Sequence, residues 1–188
     1  MKADQDVKIA LTGHRPQRLG GFSPDNPLRA WVVGELRRYL IMLNPSLVYC
    51  GMALGFDQWG AALCVELRIP FVAAIPFRTY SARWPVESRE VFSSLVGKAE
   101  SVHVVSSSTL ISHAIAARLC LQRNVWMVDQ LDPKGFDCVV ACWDGNENGG
   151  TVSTVRYAEK KKIGVGRIDP RQAPGYTWKT AYVGRTFR

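Results

Sequence analysis

Six short, largely apolar runs, separated by segments with helical periodicity, decide most of what this chain can fold into. The runs are Val7–Leu11, Leu47–Cys50, Phe71–Ile75, Ser101–Val105, Asp137–Cys142 and Val165–Ile168. Most are continuously apolar rather than alternating, so their strands must be covered on both faces. Between the first two runs, Leu28, Trp31, Val32, Leu36, Tyr39, Leu40 and Leu43 recur at helical spacing until Asn44-Pro45 stops them. Further helices are expected from Gly55 to about Arg68 and from Pro85, as first residue, to about Lys98. Another runs from about Leu110 to Gln130, with Ile111, Ile115, Leu119 and Trp126 on one side, and a last one from Thr151 to Lys162. Strand and helix in alternation predict an α/β three-layer sandwich with a mostly parallel sheet of about five to six strands.

The length of 188 residues suits one such domain with a full core. No apolar run approaches the roughly 20 residues that span a bilayer, and Met1–Asp6 is polar, unlike the start of a signal peptide. A cytoplasmic protein with no membrane partner is expected. The five cysteines include no C-x-x-C pair and read as reduced packing residues, with Cys138 and Cys142 on one face of a strand. The formal charge of +8 points to anionic partners. Its basic residues are dispersed, however, with runs only at Arg37-Arg38 and Lys160-Lys161-Lys162, so charge alone does not single out DNA or RNA.

In a parallel sheet the ligand crevice lies at the carboxyl ends of the strands. The unusual loops of this chain fall there: Thr12-Gly13-His14-Arg15, Gly51 to Asp57, Pro76-Phe77, Ser106 to Ser108, and Trp143 to Thr151. Gly51-Met52-Ala53-Leu54-Gly55 turns a strand into a helix and can present backbone amides to an anion. Asp57, in the first turn of that helix, suits ribose hydroxyls, acid/base work or a cap. Gly149-Gly150-Thr151 opens a helix as a phosphate cradle or as an ordinary helix start. Arg15 is a phosphate partner or a surface arginine. Arg123 lies near the apolar face of its helix and needs an anion, either Asp57, Asp129 or a ligand. Trp84 and Trp143 can stack on a base or simply pack, and His14 is an acid/base group or a loop residue. His103 and His113 have no ligand-spaced neighbours, so no metal site is expected. P-loop ATP hydrolysis is excluded by the lack of a Gly-x-x-x-x-Gly-Lys-[Ser/Thr] motif.

The same loops carry a resemblance. Thr12-Gly13-His14-Arg15-Pro16, Leu19-Gly20-Gly21, Gly51 to Trp59, Ile75-Pro76-Phe77, Arg83-Trp84-Pro85, Arg123-Asn124 through Asp129, Trp143-Asp144-Gly145 and Gly149-Gly150-Thr151 resemble the YpsA-like family of the SLOG superfamily, a Rossmann-type group. Small variants encoded by phages and mobile elements look especially similar. The resemblance covers about residues 7 to 169. It implies a Rossmann-like fold that binds nucleotides, NAD-derived molecules or nucleoside phosphates. Some superfamily members cleave N-glycosidic bonds using an arginine on the long helix, matched by Arg123, and a glutamate after a Gly-Gly-x-Gly-Thr loop. Here that glutamate's place falls near Thr154, and no acid follows until Glu159, so hydrolysis of that kind would need Asp57, Glu87 or Asp144 instead.

Residues 1–169 are thus expected to form a domain whose ligand-binding residues are Thr12, Gly13, His14, Arg15, Gly51, Met52, Ala53, Gly55, Asp57, Pro76, Phe77, Trp84, Arg123, Asn124, Trp143, Asp144, Gly149, Gly150 and Thr151. The expected partner is a nucleotide-like small molecule, such as NAD, ADP-ribose or a nucleoside phosphate, held to sense or sequester it. An N-glycosidic hydrolase or transferase is the alternative, and a nucleic-acid-binding protein the second. A homo-oligomer, dimer or larger, is expected. The tail 170–188 carries Arg171, Lys179, Arg185 and Arg188 among Tyr176, Trp178, Tyr182 and Phe187. It reads as packing on its own domain or a partner subunit, or as a binder of single strands.

Overall fold

Asn26 shows how local chemistry starts an element: its side-chain oxygen accepts the amides of Leu28 and Arg29, and Pro27 fills the first helical position. The computed structural model describes residues 6–109 and 111–175. Its strands are β1 (Lys8–Gly13), β2 (Leu47–Cys50), β3 (Phe71–Phe77), β4 (Ser101–Ser106), β5 (Cys138–Cys142) and β6 (Gly164–Ile168). Its α-helices are α1 (Pro27–Leu43), α2 (Phe56–Leu67), α3 (Val86–Val96), α4 (His113–Asp129) and α5 (Gly150–Lys160). The start of the long helix at Leu110, and the tail reading from Tyr176 onward, lie outside the described residues.

All six strands are parallel, in the order β4-β3-β2-β1-β5-β6. This is an α/β, Rossmann-like architecture. Register follows the apolar pattern. Ile9 and Leu11 enter one core cluster with Leu28, Leu36 and Phe56, while Ala10 joins the other with Met127, Val128, Val155 and Ala158. A one-residue slip would exchange these sets, and both faces are buried, so the register is pinned.

Three expectations need correction. β3 does not end at Ile75 but continues through Pro76 to Phe77, which pairs with Ser106. Pairing of β2 with β3 stops at Cys50 and Ala73, so Pro76 interrupts no ladder on that side. Pro85 is the residue before α3 rather than its first, and the helix begins at Val86. The buried face of α4 is Leu119, Arg123, Asn124, Met127 and Val128. Ile111 precedes that helix and Ile115 is exposed. Ser112 caps α4 by accepting the Ile115 amide, which sets the start later than the apolar residues suggest.

The five cysteines are free thiols; Cys50, Cys64 and Cys142 are buried, Cys120 and Cys138 partly so. No described helix is long and apolar enough to cross a membrane.

Candidate functional site

Strand order dictates where a crevice opens. From β1 the chain crosses through α1 to β2, whereas β5 lies on the other side of β1 and crosses through α5 to β6. Helices that leave neighbouring strands in opposite directions cover opposite faces, and the gap between them sits at the carboxyl ends. A cavity of ≈ 730 Å3 lies there. It is lined by Thr12 and Gly13 at the end of β1 and His14, Arg15 and Arg18 after it, and by Ala53 in the turn before α2 and Asp57 in its first turn. Ala117, Cys120, Leu121, Arg123 and Asn124 come from α4, and Asn148, Gly149, Gly150, Thr151 and Ser153 from the start of α5.

At its floor Arg123 meets Asp57, Nη1 to Oδ2 at 3.8 Å, with both side chains buried. Asp57 Oδ2 also accepts the Ala53 amide at 3.3 Å, and Arg123 Nη1 donates to the Ala74 carbonyl at 3.5 Å. Arg123 Nε is buried and has no partner. Burial pushes the Asp57 carboxyl above its ordinary range, against the pull of Arg123, Arg15 and the Ala53 amide. The turn beneath is shaped for this pair. A Cβ on Gly51 would lie 2.0 Å from Arg123 Nη1 and 2.7 Å from Asp57 Oδ2. Gly55 adopts φ +93° with its Cα against the His14 carbonyl, where a Cβ would come within 2.8 Å.

His14 forms a second polar centre. Its Nε2 accepts the Asp144 amide at 3.2 Å and lies 2.9 Å from Asp144 Oδ1. Asp144 also pairs with Arg18 at 3.2 Å and accepts the Asn146 amide at 2.9 Å. Burial lowers the His14 pKa, outweighing the carboxylate, so the neutral imidazole is favoured. Burial pushes Asp144 upward, but the Asn146 amide, His14 and Arg18 together hold it below its ordinary value. The first turn of α5 is positioned from α4. Asn124 donates to Thr154 Oγ1 at 2.8 Å and to the Gly150 carbonyl at 3.5 Å. Thr154, where a catalytic glutamate would stand, is buried in that contact. Gly149, at the cap position, offers no side chain to the helix's first amides.

Of the residues expected at the site, Thr12, Gly13, His14, Arg15, Ala53, Asp57, Arg123, Asn124, Gly149, Gly150 and Thr151 line this one cavity. Gly51, Met52 and Gly55 form the turn beneath it, and Asp144 stands behind His14. The others face elsewhere. Pro76 and Phe77 are buried in β3, and Trp84 sits in an aromatic cluster with Tyr80 and Phe92. Trp143 lies beneath Arg167 at 4.8 Å and donates its indole N–H to the Asn146 carbonyl. Glu87 is exposed on α3. Arg18, Ala117, Cys120, Leu121, Asn148 and Ser153 line the cavity without having been expected. Once Asn124 faces inward, helical spacing of four and seven residues points to Cys120 and Ala117, a signal the sequence did contain. Among the described residues, no group of three or more His, Cys, Asp or Glu side chains is placed to share a metal ion.

The YpsA family model, described as the YspA SLOG family, matches residues 9–167. A UPF0398 protein of Bacillus pumilus is 25% identical over 159 residues, 80% of this chain and 81% of the relative. One of Bacillus cereus is 23% identical over 161 residues, covering 81% and 83%. DNA processing protein A of Helicobacter pylori, solved for its single-stranded DNA binding mode, superposes with a TM-score of 0.59 at 17% identity. That match covers 87% of this chain and 66% of the other, just under two thirds. DprA of Streptococcus pneumoniae gives a TM-score of 0.56 at 14% identity over 86% of this chain and half of its own. At such identities the structural likeness is one of fold.

Two outcomes follow from the geometry. Gly51→Ala drives a methyl group into the Arg123–Asp57 contact and is expected to cost about 1–3 kcal/mol in urea unfolding, whereas Gly34→Ala, in open space on α1, should not. Both His14 and Asp144 are held below their unfolded values, so the unfolded chain binds more protons on acidification. The His14 contribution is present above about 6.5, the ordinary imidazole value, and is lost as pH falls through the depressed folded value. That of Asp144 is lost only lower, in the carboxylate range. Thermal melts at about pH 7.5 and about pH 5.5 should therefore show a fall in Tm that His14→Gln reduces.

Proposed function

The chain belongs to the YpsA, or YspA SLOG, family, and from that premise we propose that its crevice binds a nucleotide-derived small molecule, NAD- or ADP-ribose-like or a nucleoside phosphate, to sense or sequester it. One observation carries this reading. Arg123, a buried arginine whose Nε has no partner, lines a cavity that also contains the first turn of α5. A buried donor left unpaired costs about 1–3 kcal/mol, which a ligand oxygen recovers. Phosphate oxygens suit the α5 start, where backbone amides and the helix dipole favour negative charge. Arg15 adds a guanidinium at the same cavity, hydrogen-bonded to the neutral Tyr80 hydroxyl at 3.1 Å. Asp57 supplies an acceptor for a sugar hydroxyl.

Binding fits better than turnover. Of the three candidate catalytic carboxylates, Glu87 and Asp144 do not line the cavity, and Asp57 is engaged by Arg123 and the Ala53 amide. Self-association belongs to the same proposal: Val102 on the edge strand β4 and Ile115 and Val125 on α4 are exposed apolar residues.

Isothermal titration with NAD, ADP-ribose and nucleoside monophosphates is expected to give saturable binding. Arg15→Ala should weaken it roughly tenfold to a hundredfold, the worth of one charge-assisted hydrogen bond. No heat from any of them at about 100 μM protein overturns the proposal. Release of free base or nicotinamide, abolished by Asp57→Asn, would replace binding with hydrolysis. Light scattering at the same concentration should report a dimer or larger, and a monomer removes that part.

A further inference from the structure

We infer that the cavity recognises the phosphorylated pentose of its ligand and leaves the attached base unread, so that the ligand class is any ribose 5-phosphate-bearing molecule, purine or pyrimidine alike. This rests on the small-molecule reading of the site given above.

Sorting bases requires an aromatic platform to stack on, or fixed donors and acceptors along the base edge. Among the described residues, no Phe, Tyr or Trp side chain lines the cavity, and the one imidazole there, His14, is buried and held against Asp144. The two tryptophans best placed in sequence to supply one are committed. Trp84 makes edge contacts with Tyr80 and Phe92, at 5.0 and 5.4 Å, and Trp143 is covered by Arg167. What the cavity offers a base is the α4 wall of Ala117, Cys120 and Leu121. These surfaces give dispersion contact to any flat ring and present no directional code.

Edge readers are equally scarce. The Asn124 amide nitrogen is spent on Thr154 and Gly150. Asn148 carries both a donor and an acceptor, so by turning over it suits the edge of any base. Thr12, Thr151 and Ser153 carry hydroxyls that donate or accept alike and so do not discriminate between bases. Guanidinium groups and the α5 start attract phosphate, and Asp57 with Arg123 at its side offers an acceptor and a donor to neighbouring hydroxyls. Specificity therefore sits in the sugar and its phosphate.

The test is titration of the full chain, at one fixed salt concentration, with AMP, GMP, CMP, UMP, ribose 5-phosphate and adenosine. The four nucleotides are expected to agree within about tenfold in Kd, ribose 5-phosphate to stay within about tenfold of them, and adenosine to fall more than about tenfold below AMP. An aromatic platform contributes on the order of five- to a hundredfold per base. A preference among the four nucleotides greater than tenfold overturns the inference. So does ribose 5-phosphate falling outside its range, or adenosine binding as well as AMP. Absence of binding by all six while NAD or ADP-ribose binds overturns the inference alone, whereas absence of binding by those two as well removes the small-molecule reading itself, which separates the two failures.

Discussion

A guanidinium and a carboxylate meet out of water at the floor of the crevice, and much of the surrounding chain is arranged to permit it. Asp57 comes from the first turn of α2, Arg123 from α4, the carbonyl that helps satisfy the arginine from Ala74 on β3, and the space from Gly51 at the end of β2. Burying two charges gains little net stability, but removing one partner strands the other at a cost of about 3–5 kcal/mol. The pair is thus better understood as a constraint on geometry than as a source of stability. It fixes α4 against the β2–α2 turn, and it does so with a long contact that leaves one arginine donor unpaired.

The next residue on α4 performs the matching task for the other half of the molecule. Asn124 reaches Thr154 and Gly150, so two adjacent side chains on one helix orient both walls of the cavity. His14 and Asp144 close the remaining seam, joining the end of β1 to the loop after β5. Each of these contacts is polar, buried and directional. Together they place the α5 start opposite the glycine turn with little room for adjustment.

The strands were legible because continuous apolar runs have few other uses in a soluble chain, and the carboxyl-edge loops followed from topology. Arg15, Asp57, Arg123 and Thr151, far apart in sequence, stand around one cavity as that topology demands. What could not be read was side-chain direction. Trp84 and Trp143 sit in loops at the correct edge, yet one turns into an aromatic cluster and the other under Arg167. The choice depends on partners 8 and 24 residues away in sequence, at Phe92 and Arg167. The phase of α4 was misjudged for a related reason. Its inward face holds an arginine and an asparagine, while Ile115 and Val125 point out, so hydrophobicity alone misplaces the stripe. Arg18 carried no periodic signal, since it belongs to a short turn, Pro16–Arg18, rather than to a helix or strand.

The cavity's walls are drawn from opposite ends of the domain, Thr12 to Arg18 on one side and Asn148 to Ser153 on the other. A nascent chain emerging from the ribosome can lay down β1 to β4 and still possess nothing able to hold a ligand. Only when α5 has docked is the cavity complete. A molecule bound there would rivet an early-made part of the domain to a late-made one, and so favour the fully folded domain over partly assembled forms.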